Sequence, residues 1–275
     1  MSEREIRVQE SAPDTSRRVK NAPTAPHIPV PFSYFPSDDG TDENLLILLH
    51  GLGDTHTPFF KLGRQLKLPQ TAVLALRAPE KIPYLYEESY QWYNSFDQLG
   101  EMIDRPNPSP ALDLLTKVMK HLVDDCSWPP YRVHFFGFAQ GGSVAAEFGL
   151  AWWKEHLLAQ QREAGNANAT TGTNVLGGTL GSIVSISGPL LSYPTLSKKS
   201  PTPVLVLHNP EAETALPPGA IDAYKKGYEH VATKTISDPG MPSSKASWEP
   251  IMEFWSRHLG RRKVEGLYEV MSGNA

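Results

Sequence analysis

Gly137-Phe138-Ala139-Gln140-Gly141-Gly142 is the stretch on which the reading of this chain turns. It has the form of a nucleophile elbow, G-x-S-x-G, with alanine where serine belongs. Such an elbow is a sharp turn from a buried strand into a helix, and it lifts its central side chain to the top of a sheet. Its glycines suit a turn crowded by its own backbone and by neighbouring elements. The apolar run at 131–136 predicts the strand before the turn, and 143–159, with few breakers, predicts the helix after it. The frame is present and its attacking oxygen is missing.

Outward from the elbow, buried parallel strands are predicted at 45–49 and 71–76, both continuous apolar runs. Phe32-Ser33-Tyr34-Phe35 reads as a short edge strand. Further strands are predicted at 180–186, 203–207 and 232–236, and helices at 59–68, 111–126, about 219–230 and 246–259. Strands alternating with helices imply an α/β fold, a mostly parallel sheet covered on both faces. No internal repeat is visible, so the expectation is one domain over residues 32–260. Residues 1–31, polar and then proline-rich (Pro23, Pro26, Pro29, Pro31), are expected to be a disordered arm. Residues 160–178, rich in Ala, Asn, Thr and Gly, read as a low-complexity surface insert, and 261–275 as a loose tail.

Composition narrows the function classes. With 275 residues, 40% hydrophobic and 20% charged, the chain is that of a soluble globular protein. A net charge of −4 gives no support for nucleic-acid or anionic-membrane partners. Cys126 is the single cysteine, which rules out an intrachain disulfide framework. No apolar run reaches transmembrane length. The opening Met1-Ser2-Glu3-Arg4-Glu5 has neither the apolar core of a signal peptide nor the acid-poor character of a transit peptide. Cytosol, or nucleus, is the expected compartment.

A second glycine-rich turn adds weight to the elbow. The run 46–49 leads into His50-Gly51-Leu52-Gly53-Asp54 at the carboxyl end of an earlier strand. A loop at that position supplies one backbone N–H of an oxyanion hole, and the residue after the nucleophile supplies the other. The donors here would be Leu52 and Gln140. Read without that role, His50-Gly51 is a tight turn holding a structural histidine.

With these pieces the chain resembles the phospholipase/carboxylesterase family of α/β hydrolases, which includes the acyl-protein thioesterases. The resemblance rests on Leu48-Leu49-His50-Gly51-Leu52-Gly53-Asp54, Arg77-Ala78-Pro79, Trp92-Tyr93, the elbow, and Ser187-Gly188-Pro189-Leu190, in the family's order across roughly residues 44–259. It implies an α/β-hydrolase fold and serine hydrolysis of carboxylic esters or thioesters, often fatty-acylated, without metal or organic cofactor.

The departures from that pattern fall on the catalytic residues. The family's serine aligns with Ala139. Its acid follows the seventh strand in an H-G-x-x-D-like segment; here His208-Asn209-Pro210-Glu211-Ala212-Glu213 has no aspartate, and Glu211 or Glu213 stands in only at altered spacing. Its histidine follows the last strand; here Asp238-Pro239-Gly240-Met241-Pro242-Ser243-Ser244 has none, and Pro242 occupies or adjoins the base position. His134, His208, His230 and His258 read as structural or misplaced, Ser143 as packed one turn below the elbow, and Cys126 as a small core or surface residue. No Cys/His spacing suggests a metal site.

The expectation is therefore a catalytically inactive member, a pseudohydrolase that binds a protein partner or an acyl-like ligand. The alternative is an active serine carboxylesterase or thioesterase whose native residue 139 is serine, alanine being an engineered trap. That alternative accounts for Ala139 alone, whereas degeneration accounts for all three departures. In the aromatic connection at 79–109, Trp92 and Phe96 are expected to anchor the loop to the core. Tyr84, Tyr86 and Tyr90 either cover its edges or cap an acyl or peptide pocket.

Overall fold

The computed structural model describes residues 19–83, 88–97, 99–162, 178–212 and 215–262, and the backbone alone of 6–9, 163–164 and 269–272. In chain order the elements are β1 (Ile6–Gln9), β2 (Phe32–Phe35), β3 (Asn44–Leu49), α1 (His56–Gln65), β4 (Thr71–Leu76), β5 (Glu80–Lys81), β6 (Tyr90–Gln91), α2 (Ser109–Asp124), β7 (Val133–Phe138), α3 (Gln140–Ala164), β8 (Ser182–Ile186), β9 (Val204–His208), α4 (Ala220–Gly227), β10 (Val231–Thr235), α5 (Lys245–His258) and β11 (Glu269–Ser272).

Seven strands form the main sheet in the order β10-β9-β8-β7-β3-β4-β2. All neighbours run parallel except β2, which pairs antiparallel with β4 at the edge. The continuous apolar runs are explained by burial on both faces. In β3, Leu45, Ile47 and Leu49 join one core with Leu115 of α2, Phe148 of α3 and Tyr224 of α4. The intervening Leu46 and Leu48 join the other, with Phe59 of α1 and Trp255 of α5. The α/β expectation is met, with helices on both faces.

Several boundaries move for local reasons. The strand expected at 131–136 runs from Val133 to Phe138, because Pro129 and Pro130 start a 3-10 turn over Pro130–Arg132. It thus reaches the elbow directly, and α3 begins at Gln140 rather than 143. The helix expected at 59–68 opens at His56 and closes at Gln65, since Lys67 takes a left-handed φ of 46°. The helix expected from 111 starts at Ser109, with Pro110 in the first turn where its missing N–H costs nothing.

The flanking segments also differ from expectation. Residues 160–164 of the expected insert continue α3, and 165–177 lie outside the described residues. Residues 19–31 of the expected arm lie along the body, with Pro23, Ile28 and Val30 buried. Three apolar side chains are enough to hold a segment that polarity and proline content mark as loose. In the expected arm and tail, β1 and β11 pair antiparallel as a separate two-stranded sheet.

Candidate active site

The elbow is built by crowding. Ala139 has φ 47°, a left-handed conformation that a non-glycine residue adopts only when its surroundings impose it. Its N–H donates to Ile186 O at 2.8 Å, extending the β7–β8 pairing, and its carbonyl accepts the Ser143 N–H at 3.0 Å, opening α3. A Cβ on Gly137 would lie 2.2 Å from Gly141 O, one on Gly141 2.2 Å from Leu49 O, and one on Gly188 2.4 Å from Ser143 N. These glycines let β7, β3 and the β8 turn converge on one point. They also press the start of α3 against the carbonyls of Leu49 and His50. The first N–H groups of α3, including that of Gln140, have no partner within the helix, so its electropositive end is at the elbow.

Left-handed alanine costs roughly 1–2 kcal/mol, and glycine recovers part of this against its own unfolded-state entropy of about 0.5–1 kcal/mol. Ala139→Gly is therefore expected to stabilise the protein by about 0.5–1 kcal/mol. A urea midpoint that falls instead would show that the elbow is not strained.

The second turn is locked to the first. Gly53, at φ 83°, donates to Tyr90 O at 3.0 Å, and Leu52 sits exposed at the tip. His50 is fully buried, and its Nε2 accepts the Ala78 N–H at 2.9 Å. An amide N–H can only donate, so the ring proton is on Nδ1, facing Gly51 O at 2.7 Å. Burial lowers its pKa to about 4. Both nitrogens are committed, and His50 is a structural pin of the turn.

Gln140 does more than present a backbone donor. Its buried Oε1 accepts the Trp92 N–H at 2.9 Å, while Nε2 donates to Tyr93 O at 3.0 Å and Ser95 Oγ at 2.7 Å. Trp92 Nε1 in turn donates to His50 O at 2.8 Å. The side chain thereby fastens the aromatic connection to the elbow, a role that a motif two glycines wide does not signal. Gln140→Ala leaves Trp92 N–H and Tyr93 C=O unsatisfied in a buried setting, at about 1–3 kcal/mol each. A chemical-denaturation loss of about 2–5 kcal/mol is expected, and a loss below 1 kcal/mol would remove the clamp from this account.

The turn after β10, where the family resemblance puts the base, leads into the cap of α5. The Asp238 carboxylate accepts from Ser243 N at 3.2 Å and from the Ser243 and Ser247 hydroxyls, which lower its pKa. Ser244 Oγ caps α5 by accepting the Ser247 N–H at 3.2 Å. Pro242 is buried, its carbonyl accepting Trp248 Nε1 at 3.0 Å. Asn209 Nδ2 ties this turn to the segment after β9 through Ser237 O at 3.1 Å and Asp238 O at 3.3 Å. Asn209 Oδ1 also accepts the Glu211 N–H at 2.8 Å, and Glu211 is exposed. Glu213 lies outside the described residues. Between the two turns sits the Phe138 ring, 2.9 Å from a Cβ placed on Gly51 and 3.9 Å from one placed on Gly240.

The aromatic connection divides differently from expectation. Trp92 is fully buried, as an anchor should be. Phe96 is 42% exposed and does not anchor. It pairs with Met102 across a hairpin whose turn Asp97 holds by accepting the Leu99 and Glu101 N–H groups at 2.8 and 2.9 Å. Leu99 and Met102 are 85% and 79% exposed, a cluster the sequence reading missed. Tyr90 is only 5% exposed, with the Arg77 guanidinium 4.1 Å from its ring centroid, so it packs instead of capping. Tyr84 and Tyr86 lie outside the described residues. A separate open cleft lined by Phe60, Lys61, Arg64 and Leu68 shares no residue with the elbow.

A parallel sheet with an elbow at the carboxyl end of β7, facing a glycine turn after β3, defines an α/β hydrolase. The chain belongs to the phospholipase/carboxylesterase family, whose model matches residues 36–157. A Mycosarcoma maydis protein described as an uncharacterized hydrolase, UM10204, is 36% identical over 237 residues, covering 84% of this chain and 82% of its own. In structure the chain is similar to esterase PE8 (TM-score 0.64, 19% identity, covering 84% of this chain and 99% of that one). It is similar also to Zea mays acyl-protein thioesterase 2 (TM-score 0.62, 19% identity, covering 84% and 100%). At these identities the structural likeness speaks to the fold. No helix among the described residues is long and apolar enough to cross a membrane.

Proposed function

We propose that this chain is a noncatalytic member of its family that uses the former active-site face to bind an acyl-like ligand or the apolar segment of a protein partner. One observation carries the reading. The elbow keeps its left-handed backbone around Ala139, while in the turn where the family's base is expected the Asp238 carboxylate accepts from Ser243 and Ser247 and Ser244 caps α5. Leu52, exposed at the tip of the glycine turn, and Phe96, Leu99 and Met102, exposed on the hairpin, support a binding role, since exposed apolar side chains that pack against nothing in the chain are available to a ligand or partner. We place the protein in the cytosol or nucleus, where a lone unpaired thiol such as Cys126 is the norm.

A fluorophosphonate probe is expected to leave the protein unlabelled, and short-chain esters to turn over no faster than with denatured protein. A fluorescent long-chain acyl probe, or an apolar peptide, is expected to bind saturably and to lose affinity on Leu52→Asp. Covalent labelling, or ester turnover traced to this pocket, would end the proposal.

A further inference from the structure

The hairpin that pairs Phe96 with Met102 is firmly built. Asp97 N–H donates to Glu101 O at 2.9 Å and Ile103 N–H to Ser95 O at 2.9 Å, while Asp97 Oδ1 accepts the Leu99 and Glu101 N–H groups. On this fixed backbone Leu99, Met102 and Phe96 face water at 85%, 79% and 42% exposure. Large apolar side chains held out in this way mark an interaction surface. Beside them Asp97, Glu101 and Asp104 outnumber Arg105, all four exposed, so the apolar tip has an acidic rim.

The open cleft beside the second half of α1 has the opposite character. Phe60 and Leu68 give it an apolar lining, and Lys61, Arg64 and Lys67 stand exposed around it. None of these three cations pairs with a carboxylate among the described residues. They face two acids, Asp38 and Asp39. Of these Asp39 already accepts from Ser37 Oγ at 2.6 Å, Thr41 N–H at 3.1 Å and Gln70 N–H at 2.8 Å. The rim of the cleft is therefore basic on balance.

We propose that the hairpin of one copy of this chain seats in the α1 cleft of a second copy, and that the two copies exchange this contact about a two-fold axis to form a dimer. Apolar tip meets apolar lining, and acidic rim meets basic rim. That complementarity selects a second copy over an anionic bilayer, which would meet Glu101 and Asp104 with like charge. Within one chain the two surfaces do not meet. The cleft shares no residue with the hairpin, whose stem is tied to the elbow where Ser95 Oγ accepts Gln140 Nε2 at 2.7 Å. Three side chains in one cleft bury less than the roughly 1,600 Å² of a standard interface. Exchange about a two-fold axis doubles the contact and closes the assembly at two, whereas one-sided insertion would run on into chains. The inference goes beyond the noncatalytic reading, since neither Ala139 nor the turn after β10 takes part.

Sedimentation velocity on the full chain, from about 1 to 200 μM, is the test, because a contact of this size is expected at the weak, micromolar end. A monomer–dimer equilibrium is expected, weakening as salt screens the two rims. Leu99→Asp changes a side chain that supports nothing in the fold and is expected to raise the Kd more than about tenfold. Lys61→Glu, which sets like charges together, is expected to raise it about three- to tenfold, and adding Glu101→Lys to that chain to recover most of the loss. A monomer at every concentration overturns the proposal, as does assembly beyond two. So does a dimer indifferent to Leu99→Asp or to Lys61→Glu, or one that Glu101→Lys does not recover. A monomer that sediments with phosphatidylcholine vesicles through Leu99 would give the hairpin to a bilayer instead. Monomer that still binds the acyl probe would strike this inference and leave the noncatalytic reading standing.

Discussion

On the proposed noncatalytic reading, Ala139→Ser is expected to remain without enzymic ester hydrolysis, although it supplies the hydroxyl that a G-x-S-x-G elbow presents. The elbow would present the new hydroxyl correctly: its φ of 47°, its glycine packing and the N-terminal end of α3 are all in place. What it lacks is somewhere to send the proton. Of the imidazoles at the carboxyl ends of β-strands, His50 has both nitrogens engaged, and His208 ends β9 with a buried, unpaired Nδ1. The Asp238 carboxylate, in the turn where the proposed reading puts the missing base, accepts bonds from Ser243 and Ser247. Serine and histidine act as a unit, and loss of either costs about 10⁶-fold in turnover. A serine without its base therefore keeps only the roughly 10³–10⁴-fold over water that binding and the oxyanion hole supply. Turnover of a p-nitrophenyl ester by parent and variant, with fluorophosphonate labelling, checks this. Hydrolysis by Ala139→Ser at the rate of an active esterase would mean that an imidazole, His208 first among them, reaches the elbow.

Which features were legible in the sequence follows from how far apart their causes lie along the chain. β3 and β4 were readable because burial on both faces demands an unbroken apolar run, and such a run is local. The elbow was readable because the close approach of β7, β3 and α3 tolerates only glycine at 137 and 141. The start of β7 was misread because Pro130 diverts the two residues before Val133, although both are compatible with a strand. Residues 19–31 were misread because composition reports average polarity, while the burial of Pro23, Ile28 and Val30 is enough to lay the segment along the body. Phe96 and Tyr90 exchanged roles because an aromatic residue fits a core and a rim equally well. The contacts of Asp238 with Ser243 and Ser247, and of His121 with His27, are set by side-chain direction and topology, and no spacing rule reaches them.

Acid is expected to weaken the protein before most of its carboxylates protonate, and two buried histidines are the reason. Burial lowers the pKa of His50 to about 4 and that of His134 to about 3, against 6.5 in an exposed chain. Arg77 and His56 add repulsion at His50, opposed by Asp54 and the Gly51 carbonyl; Arg132 and His258 add it at His134. Geometry gives the same direction. A proton on His50 Nε2 would confront the Ala78 N–H, and a charged His134 would carry two N–H groups where only Ser182 Oγ, 2.8 Å from Nδ1, is available; Nε2 has no partner. Between about pH 6.5 and 4 the unfolded chain thus binds more protons than the folded one, so stability is intact above that window and falls with pH through it. At about 1.4 kcal/mol per pH unit, His50 alone accounts for roughly 3 kcal/mol, and His134 adds a comparable or larger loss. Together they approach the whole of a typical stability of about 5–15 kcal/mol. Carboxylates with lowered pKa, such as Asp39, act only below about pH 4 and do not set this slope. Urea midpoints followed by circular dichroism from pH 8 to pH 4 are expected to be flat above about pH 7 and then to drop steeply. His134→Asn, which keeps a partner for Ser182 without a titrating ring, should flatten the drop; an equal slope in that variant would trace acid lability to groups other than His134.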